Sequence, residues 1–198
     1  MIGRQDPPRF KPLAESEMSE AQRKVYSEIA SGPRGGVRGP FNVLLRSPEL
    51  ADRAQKLGEY VRYDSSIPER LKEFAILITA RHWTAQYEWH AHHAHAMKAG
   101  LKPEIAHDLA QGRRPAGMNE QEEAVHDFCK ELHEKKSVSD ATYAAALRNF
   151  GERGVVDLIA ISGYYTLVSM VLNVERRPIP GDGALPLREL GESAGRAC

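Results

Sequence analysis

Histidines are concentrated in one short stretch of this 198-residue chain. Five of the eight occur in "RHWTAQYEWHAHHAHAMKAG", residues 81–100: His82, His90, His92, His93 and His95. Imidazole titrates near neutral pH and also binds transition metals, so the cluster is typical of proton transfer or of a metal site. On a helix, His92 shares a face with Glu88 and Trp89, whereas His90 lies nearly opposite. We therefore expect His92 to face inward and the other histidines to face solvent or an interface.

The helical spacing disfavours a metal centre. Only Glu88, His92 and His95 share a face, and a zinc site takes three or four ligands. The run "HAHHAH" is also not the HExxH pattern of zinc proteases. We therefore expect no bound metal, although a metal-dependent enzyme stays open as a hypothesis. For His92 two interpretations remain, a hydrogen-bonded core histidine and a proton-transferring group.

Glu73 is the second candidate for chemistry. It lies in "RLKEFAILITARH", residues 70–82, where apolar residues surround the helix nearly completely, which is typical of a buried helix. A buried carboxylate must be protonated, hydrogen-bonded or paired with a cation. Glu73 is therefore either a structural carboxylate tied to a neighbouring element or an acid–base group whose pKa is raised by desolvation.

The elements that position these residues are predicted to be helices. Capping residues and prolines mark helix starts, Gly100 marks a helix end, and no period-two run indicates a strand. We expect an all-α protein of about seven helices. Residues 1–16 are predicted to form an extended arm, 17–176 a single domain and 177–198 a Pro/Gly-rich tail.

Composition excludes several classes of function. The 27 basic and 27 acidic residues balance, so we expect no nucleic-acid or membrane partner. The N-terminus lacks an apolar targeting segment, and we expect no later stretch to approach the roughly 18 apolar residues of a membrane span, which predicts a cytoplasmic protein. There is no CxxC, GxSxG, P-loop or Rossmann motif, and Cys129 is predicted to be a core thiol.

The segment "RLKEFAILITARHWTAQYEWHAHHAHAMKAGL", residues 70–101, resembles the core of the carboxymuconolactone decarboxylase family, within the alkylhydroperoxidase D-like (AhpD-like) superfamily. The shared features are an Arg-x-x-Glu that opens an apolar helix, a "YEW" with His three residues after Trp, and Ala-Gly-Leu at the end. Flanking segments 39–51 and 163–173 also look similar. The resemblance implies an AhpD-like all-α helical bundle built round a helical hairpin and assembled into homo-oligomers, trimers or hexamers.

The resemblance also implies site residues. The family's Glu and His correspond to Glu73 and His92, while the two cysteines of the thiol-dependent branch would fall at Ala85 and Glu88. Because both cysteines are absent, thiol peroxidase activity is not expected. The chain instead resembles the thiol-free, decarboxylase-like branch, a lyase of aromatic compound catabolism.

Together these observations predict a cofactor-free carboxy-lyase acting on a small carboxylated lactone or related acid. His92 would transfer the proton and Glu73 would orient it. The expected substrate-binding residues are Arg70, Arg81, Trp89, Glu88 and Tyr164. Two alternatives stay open: a lactone hydrolase or isomerase at the same site, and a non-catalytic oligomeric binding protein.

Overall fold

The computed structural model describes residues 7–181 and 185–188, and this part of the chain is all-α, with no strand. The fold-class prediction is confirmed. Eight α-helices follow one another: α1 Glu20–Ser31, α2 Phe41–Leu44, α3 Pro48–Glu59, α4 Glu69–His82, α5 Gln86–Lys98, α6 Pro103–Ala110, α7 Glu120–Lys135 and α8 Asp140–Glu175. A 3-10 turn, Glu15–Glu17, precedes α1, and a π-helical segment, Tyr60–Asp64, continues α3. The single-turn helix α2 is the element that the sequence does not predict.

Local capping explains several helix starts. Ser19 and Asn119 form reciprocal capping boxes with the third residue of α1 and α7, and Ser139 caps α8. Within α8, Gly151 adopts φ 67° and ψ 179°, which breaks the helical hydrogen bonding between its two parts. A left-handed φ suits glycine because it has no Cβ.

Helix α4 forms the centre of the molecule. Every residue from Leu71 to Arg81 is buried, because α5, α7 and α8 pack around this helix. The main apolar core joins α4 to α5, α6, α7 and α8, while a smaller core, which includes Ile29 and Phe41, lies among α1, α2 and α3. Polar side chains of α4 such as Glu73 are therefore held inside the protein.

Helix α8 is long and apolar enough to cross a membrane by length and composition alone, with a mean hydropathy of 1.8 in its most apolar window. The expectation that no stretch approaches a membrane span is therefore wrong for this helix. However, 56% of that window is buried inside the protein, as in the core helix of a soluble domain. Apolar residues remain exposed along one side of α8: Val156, Ile159, Met170 and Val174.

The terminal segments partly lie outside the described residues. Residues 1–6 of the predicted arm fall outside them, as do 182–184 and 189–198 of the predicted tail. Within the described part, the Arg9 amide donates to the Glu175 carbonyl (2.9 Å). The Gln86 side chain holds Leu187 on both sides, donating to its carbonyl (2.6 Å) and accepting from its amide (3.0 Å). The described tail residues therefore pack against the start of α5.

Candidate active site

A tight turn brings Glu73 and His92 together. The link between α4 and α5 is closed by the Ala85 amide, which donates to the Ala80 carbonyl (2.8 Å), and Thr84 adopts a left-handed φ of 46°. The two helices consequently pack side by side as a hairpin. Glu73 lies 11 residues before Thr84 and His92 lies 8 residues after it, and their side chains meet across the hairpin at 2.7 Å.

His92 lies between two buried carboxylates. Its Nδ1–H donates to Oε2 of Glu73 at 2.7 Å, and its Nε2 lies 3.1 Å from Oε1 of Glu88, one turn earlier on α5. All three residues are buried, with 3–5% of their surface exposed. With an acceptor at each ring nitrogen, the arrangement favours an imidazole that carries both protons.

The two carboxylates change the charge state of His92. Burial by itself lowers the pKa of His92, but the charge of Glu88 and the hydrogen bonds that the ring donates to both carboxylates outweigh it and raise the pKa from 6.5 to about 9. Burial likewise acts to raise the pKa of Glu73, yet its hydrogen bond with His92 and the charge of that imidazolium lower it. Of the two interpretations of Glu73, the one in which desolvation raises its pKa is therefore wrong. At neutral pH the group is an ionised Glu73 beside a protonated His92.

This group opens onto a cavity of about 970 Å³. Glu73, Glu88 and His92 all line it, together with the tyrosines of α8, Tyr164 and Tyr165. Pockets that bind small molecules commonly enclose about 300–1,000 Å³. The acid and the imidazole are therefore accessible from a space that a small molecule can enter, rather than sealed in solid packing.

Tyr165 presents an unpaired hydroxyl at this cavity. The residue is 2% exposed, and its ring meets the His92 ring edge-on with centroids 5.1 Å apart. Among the described residues, its hydroxyl has no hydrogen-bond partner. Burial is the largest cause that raises the pKa of Tyr165 well above 10, so the group is a neutral O–H donor. A buried donor without an acceptor is costly, and a bound ligand oxygen would satisfy it.

The cavity is lined by basic side chains rather than by apolar ones alone. They come from the loop after α1, from the π-helical segment and from α4 and α5: Arg34, Arg38, Arg62, Lys72 and Lys98. Arg34 is the best placed: its Nε is buried with no hydrogen-bond partner in the described part of the chain, and its buried Nη2 lies beside the Tyr164 hydroxyl. These two atoms form one side of the guanidinium fork, which fits a carboxylate.

Gly58 makes room for the Arg34 side chain. A Cβ at this position in α3 would collide with the Tyr164 hydroxyl and with Nη2 of Arg34. The absence of a side chain thus allows the Tyr164 hydroxyl and the Arg34 guanidinium to approach each other beneath α3, at the wall of the cavity. Arg34 also stacks over the Phe41 ring at 5.1 Å, which helps to hold its orientation.

Three residues expected to bind substrate lie elsewhere. Arg70 forms an ion pair with the buried Glu122 of α7 and does not line the cavity. Arg81 is buried at the opposite end of α4, where its Nη2 donates to the Arg188 carbonyl at 2.7 Å. Trp89 is buried and stacks on His93, 6.1 Å between centroids. Of the residues predicted to bind substrate, the structure brings Glu88 and Tyr164 to His92 and Glu73.

The remaining chemistry-bearing residues do not add to this site. Among residues 7–181 and 185–188, no three His, Cys, Asp or Glu side chains are grouped to hold a metal ion. Cys129 is fully buried near Ser162, and burial raises the pKa of its thiol to about 12. Cys198 lies outside the described residues. Ala85 and Glu88 stand where the thiol-dependent branch would place its cysteines, and Glu88 contacts the imidazole instead.

The sequence did not identify Arg34 or Arg62 as cavity residues, nor Tyr165 as the tyrosine that contacts His92. Arg34 and Arg62 lie in a loop and at an irregular helix end, where periodicity gives no direction for a side chain. Tyr165 lies in an apolar run, and only tertiary packing decides which of two adjacent tyrosines meets His92. The pattern "GYYTLV" identifies hydroxyls that need partners, but it cannot separate the two residues.

Residues 48–131 match the model of the carboxymuconolactone decarboxylase family. This segment, less than half of the chain, is similar to that family. It begins at the first residue of α3, ends within α7 and includes the α4–α5 hairpin with Glu73, Glu88 and His92. The resemblance noted in the sequence is confirmed, and it supports a carboxymuconolactone decarboxylase-type function in general terms. No curated protein shows significant similarity to the chain.

Proposed function

We propose that the protein is a cofactor-free carboxy-lyase that acts on a small carboxylated lactone or a related acid. The observation that carries this proposal is the imidazolium of His92, held between Glu73 and Glu88 at the wall of a cavity that also carries Arg34. A decarboxylase of this kind needs an anion-binding group, a donor for the developing negative charge and an acid that protonates carbon.

Arg34 supplies the anion-binding group. Its Nε and Nη2 receive one substrate carboxylate, and the Tyr164 hydroxyl beside Nη2 contributes a further hydrogen-bonding group at the same wall. This assignment replaces Arg70 and Arg81, which have other partners. Arg62 and Lys72 add positive charge on the side of the π-helical segment, so the cavity favours an anionic substrate.

The chemical step separates into loss of CO₂ and protonation. The C–CO₂⁻ bond breaks, and its electron pair moves through the conjugated system onto the lactone carbonyl oxygen, which becomes an enolate oxygen. The Tyr165 O–H donates a hydrogen bond to that oxygen. A proton from Nε2 of His92 then forms the new C–H bond, and water later restores the proton on the imidazole.

Glu73 and Glu88 have different parts in this scheme. Glu73 is a positioning residue, because its hydrogen bond at 2.7 Å fixes Nδ1 and stabilises the imidazolium. Glu88 occupies the Nε2 side at 3.1 Å, where the proton must leave. It therefore either accepts the proton first or turns aside as the substrate binds, and in both cases it belongs to the proton path rather than to substrate binding alone.

Lactone hydrolysis or isomerisation at the same site is the second candidate. Both would use His92 as a base that takes a proton from water or carbon, which requires neutral imidazole. The raised pKa of His92 favours a proton donor near neutral pH, and this places decarboxylation first.

We also propose that the protein is a homo-oligomer in solution. The exposed side of α8 repeats at helical spacing through Val156, Ile159, Met170 and Val174, and Leu50 and Leu57 of α3 are exposed as well. An apolar stripe of this length on a surface helix is typical of a subunit contact.

The test is a substrate screen with two readouts. Purified protein and a His92→Ala variant are incubated with muconolactones, β-keto acids and simple lactones, while CO₂ release and ring opening are recorded in parallel. The proposal expects CO₂ release by the parent protein and a loss of about 10²–10⁴-fold in the variant. Ring opening without CO₂ would favour the hydrolase, and equal rates for both proteins would remove His92 from the mechanism.

A further inference from the structure

We infer that the chain has a second, separate site that binds a small oxyanion between the end of α4, the end of α6 and α7, with Arg81 as its main ligand. A cleft of about 60 Å³ lies there, away from the His92 cavity. None of its lining residues lines the larger cavity. The inference is independent of the proposed function.

Arg81 is the reason to expect an anion. The residue is only 3% exposed, and Nη2 donates to the Arg188 carbonyl at 2.7 Å. Its Nε and Nη1 atoms are buried and have no hydrogen-bond partner in the described part of the chain. A buried guanidinium with two unsatisfied donors is destabilising unless an acceptor, preferably a charged one, lies beside it.

The rest of the cleft is built from cationic groups and histidines. Its titratable lining residues are Arg81 and His82 from α4, Arg113 after α6, and His126, Lys130, His133 and Glu134 from α7. The one carboxylate among them, Glu134, is exposed and pairs with Lys130 at 3.0 Å. Lys136 and Arg188 add positive charge nearby. The C-terminal ends of α4 and α6 place partial negative charge at the edge of the cleft, but the positive charge of the lining side chains is larger.

The size of the cleft limits the ligand. One water-sized group needs about 10–15 Å³ of cavity volume, so this cleft of about 60 Å³ admits about four or five oxygen-sized groups. A single phosphate or a short carboxylate fits this limit, whereas a lactone ring with several substituents exceeds it. The site is therefore assigned to a small oxyanion rather than to the substrate of the larger cavity.

Two histidines would report an anion in this cleft. His133 is 8% exposed, and its Nε2–H donates to the Thr79 hydroxyl at 2.9 Å, while that hydroxyl donates to the Ala75 carbonyl. The His82 ring stacks on it at 4.9 Å. Burial and the charges of His82 and Lys136 lower the pKa of His133 to about 4, so the ring is neutral at pH 7. An anion beside it would favour the protonated ring, which takes its second proton on Nδ1.

The experiment is an NMR titration of the histidine ring nitrogens with inorganic phosphate, at constant ionic strength set with chloride. In the parent protein, saturating phosphate is expected to raise the pKa of His133 by about one unit or more, because an opposite charge within 4–6 Å shifts a pKa by about 1–3 units. The Arg81→Met variant keeps the apolar stem and should lose the shift. The control Arg153→Gln, at an exposed arginine of α8 that does not line the cleft, should keep it.

Three results would overturn the assignment. The first is no phosphate-dependent shift of His133 or His82 in the parent protein. The second is an equal shift in Arg81→Met. The third is a shift confined to His92, which would place the phosphate in the larger cavity. If Arg81→Met fails to fold, Arg81→Lys replaces it, and the site then requires at least a tenfold weaker phosphate affinity than in the parent, because one ammonium replaces the two unpaired donors Nε and Nη1.

Discussion

Replacing Glu73 with glutamine removes one of the two charges that hold His92 as an imidazolium. The amide is nearly the same size as the carboxylate, and its oxygen can still accept the hydrogen bond from Nδ1. Glu88 remains on the other side of the ring at 3.1 Å. The substitution therefore tests the charge of Glu73 separately from its shape.

The size of the effect follows from the pKa of His92. Its increase from 6.5 to about 9 corresponds to about 3 kcal/mol in favour of the charged ring. With one of the two carboxylates gone, we expect the pKa of His92 to fall by about 1–2 units. At pH 8 a pKa of about 9 leaves about nine-tenths of the rings protonated, whereas a pKa about 1.5 units lower leaves about a quarter.

The same shift predicts how stability depends on pH. His92 has a folded pKa above its unfolded value, so its contribution is complete below about pH 6.5 and is lost as pH rises through about 9. In that window the parent protein should lose up to about 1.4 kcal/mol of unfolding free energy per pH unit from this group. The Glu73→Gln variant should lose less in total, since its window is narrower. The lowered pKa of Glu73 itself acts at acidic pH, outside this window.

NMR titration of the His92 ring nitrogens measures the pKa, and urea unfolding at pH 6, 7.5 and 9 measures the stability. Glu69→Gln is the matched control, because Glu69 lines the cavity but no contact joins it to His92. The reasoning is refuted if the pKa of His92 is unchanged in Glu73→Gln, or if it falls equally in the control.

Further substitutions test the cavity and the surface. Gly58→Val places a side chain against Tyr164 and Arg34, so urea unfolding should show a loss of about 1–3 kcal/mol; unchanged stability would contradict the close approach. Arg34→Met should raise KM for a carboxylated substrate about 10–100-fold with little change in kcat. A lowered kcat with an unchanged KM would argue against a contact between Arg34 and the substrate carboxylate. Tyr165→Phe should lower kcat about 10²-fold in steady-state assays. A kcat equal to that of the parent protein would show that the Tyr165 hydroxyl does not stabilise the enolate. Ile159→Glu places a charge in the exposed apolar side of α8, so sedimentation velocity should show smaller species than for the parent protein. An unchanged sedimentation coefficient would indicate that this side of α8 faces solvent.

Periodicity was sufficient to place the two central groups. Glu73 lies in a helix that is apolar nearly all round, and His92 shares its helical face with Trp89, so both are predicted to be buried. The short link between the two helices then brings His92 Nδ1 to 2.7 Å from Glu73 Oε2. Capping residues also mark helix starts in the sequence, and in the structure Ser19, Asn119 and Ser139 cap α1, α7 and α8. These features depend on neighbours within a few residues, which is why they can be predicted from local patterns.

Features that depend on distant partners could not be predicted in this way. Arg70 and Arg81 resemble substrate clamps in the sequence, but their partners lie 52 and 107 residues away. The sequence left open whether the pKa of Glu73 is raised. Burial can be predicted from the helix itself, whereas the charge of His92, which lowers the pKa of Glu73, comes from another helix. Arg34 reaches the site from a loop, where no periodic pattern gives its direction.

The central claim is that His92 is charged at neutral pH and donates its proton to substrate carbon. The pH dependence of kcat for CO₂ release, measured from pH 6 to 10, tests it most directly. A proton donor with a pKa raised to about 9 predicts a rate that is flat between pH 6 and 8 and falls above about pH 9. A rate that instead rises through pH 6–8, as a neutral imidazole acting as a base requires, would contradict the account.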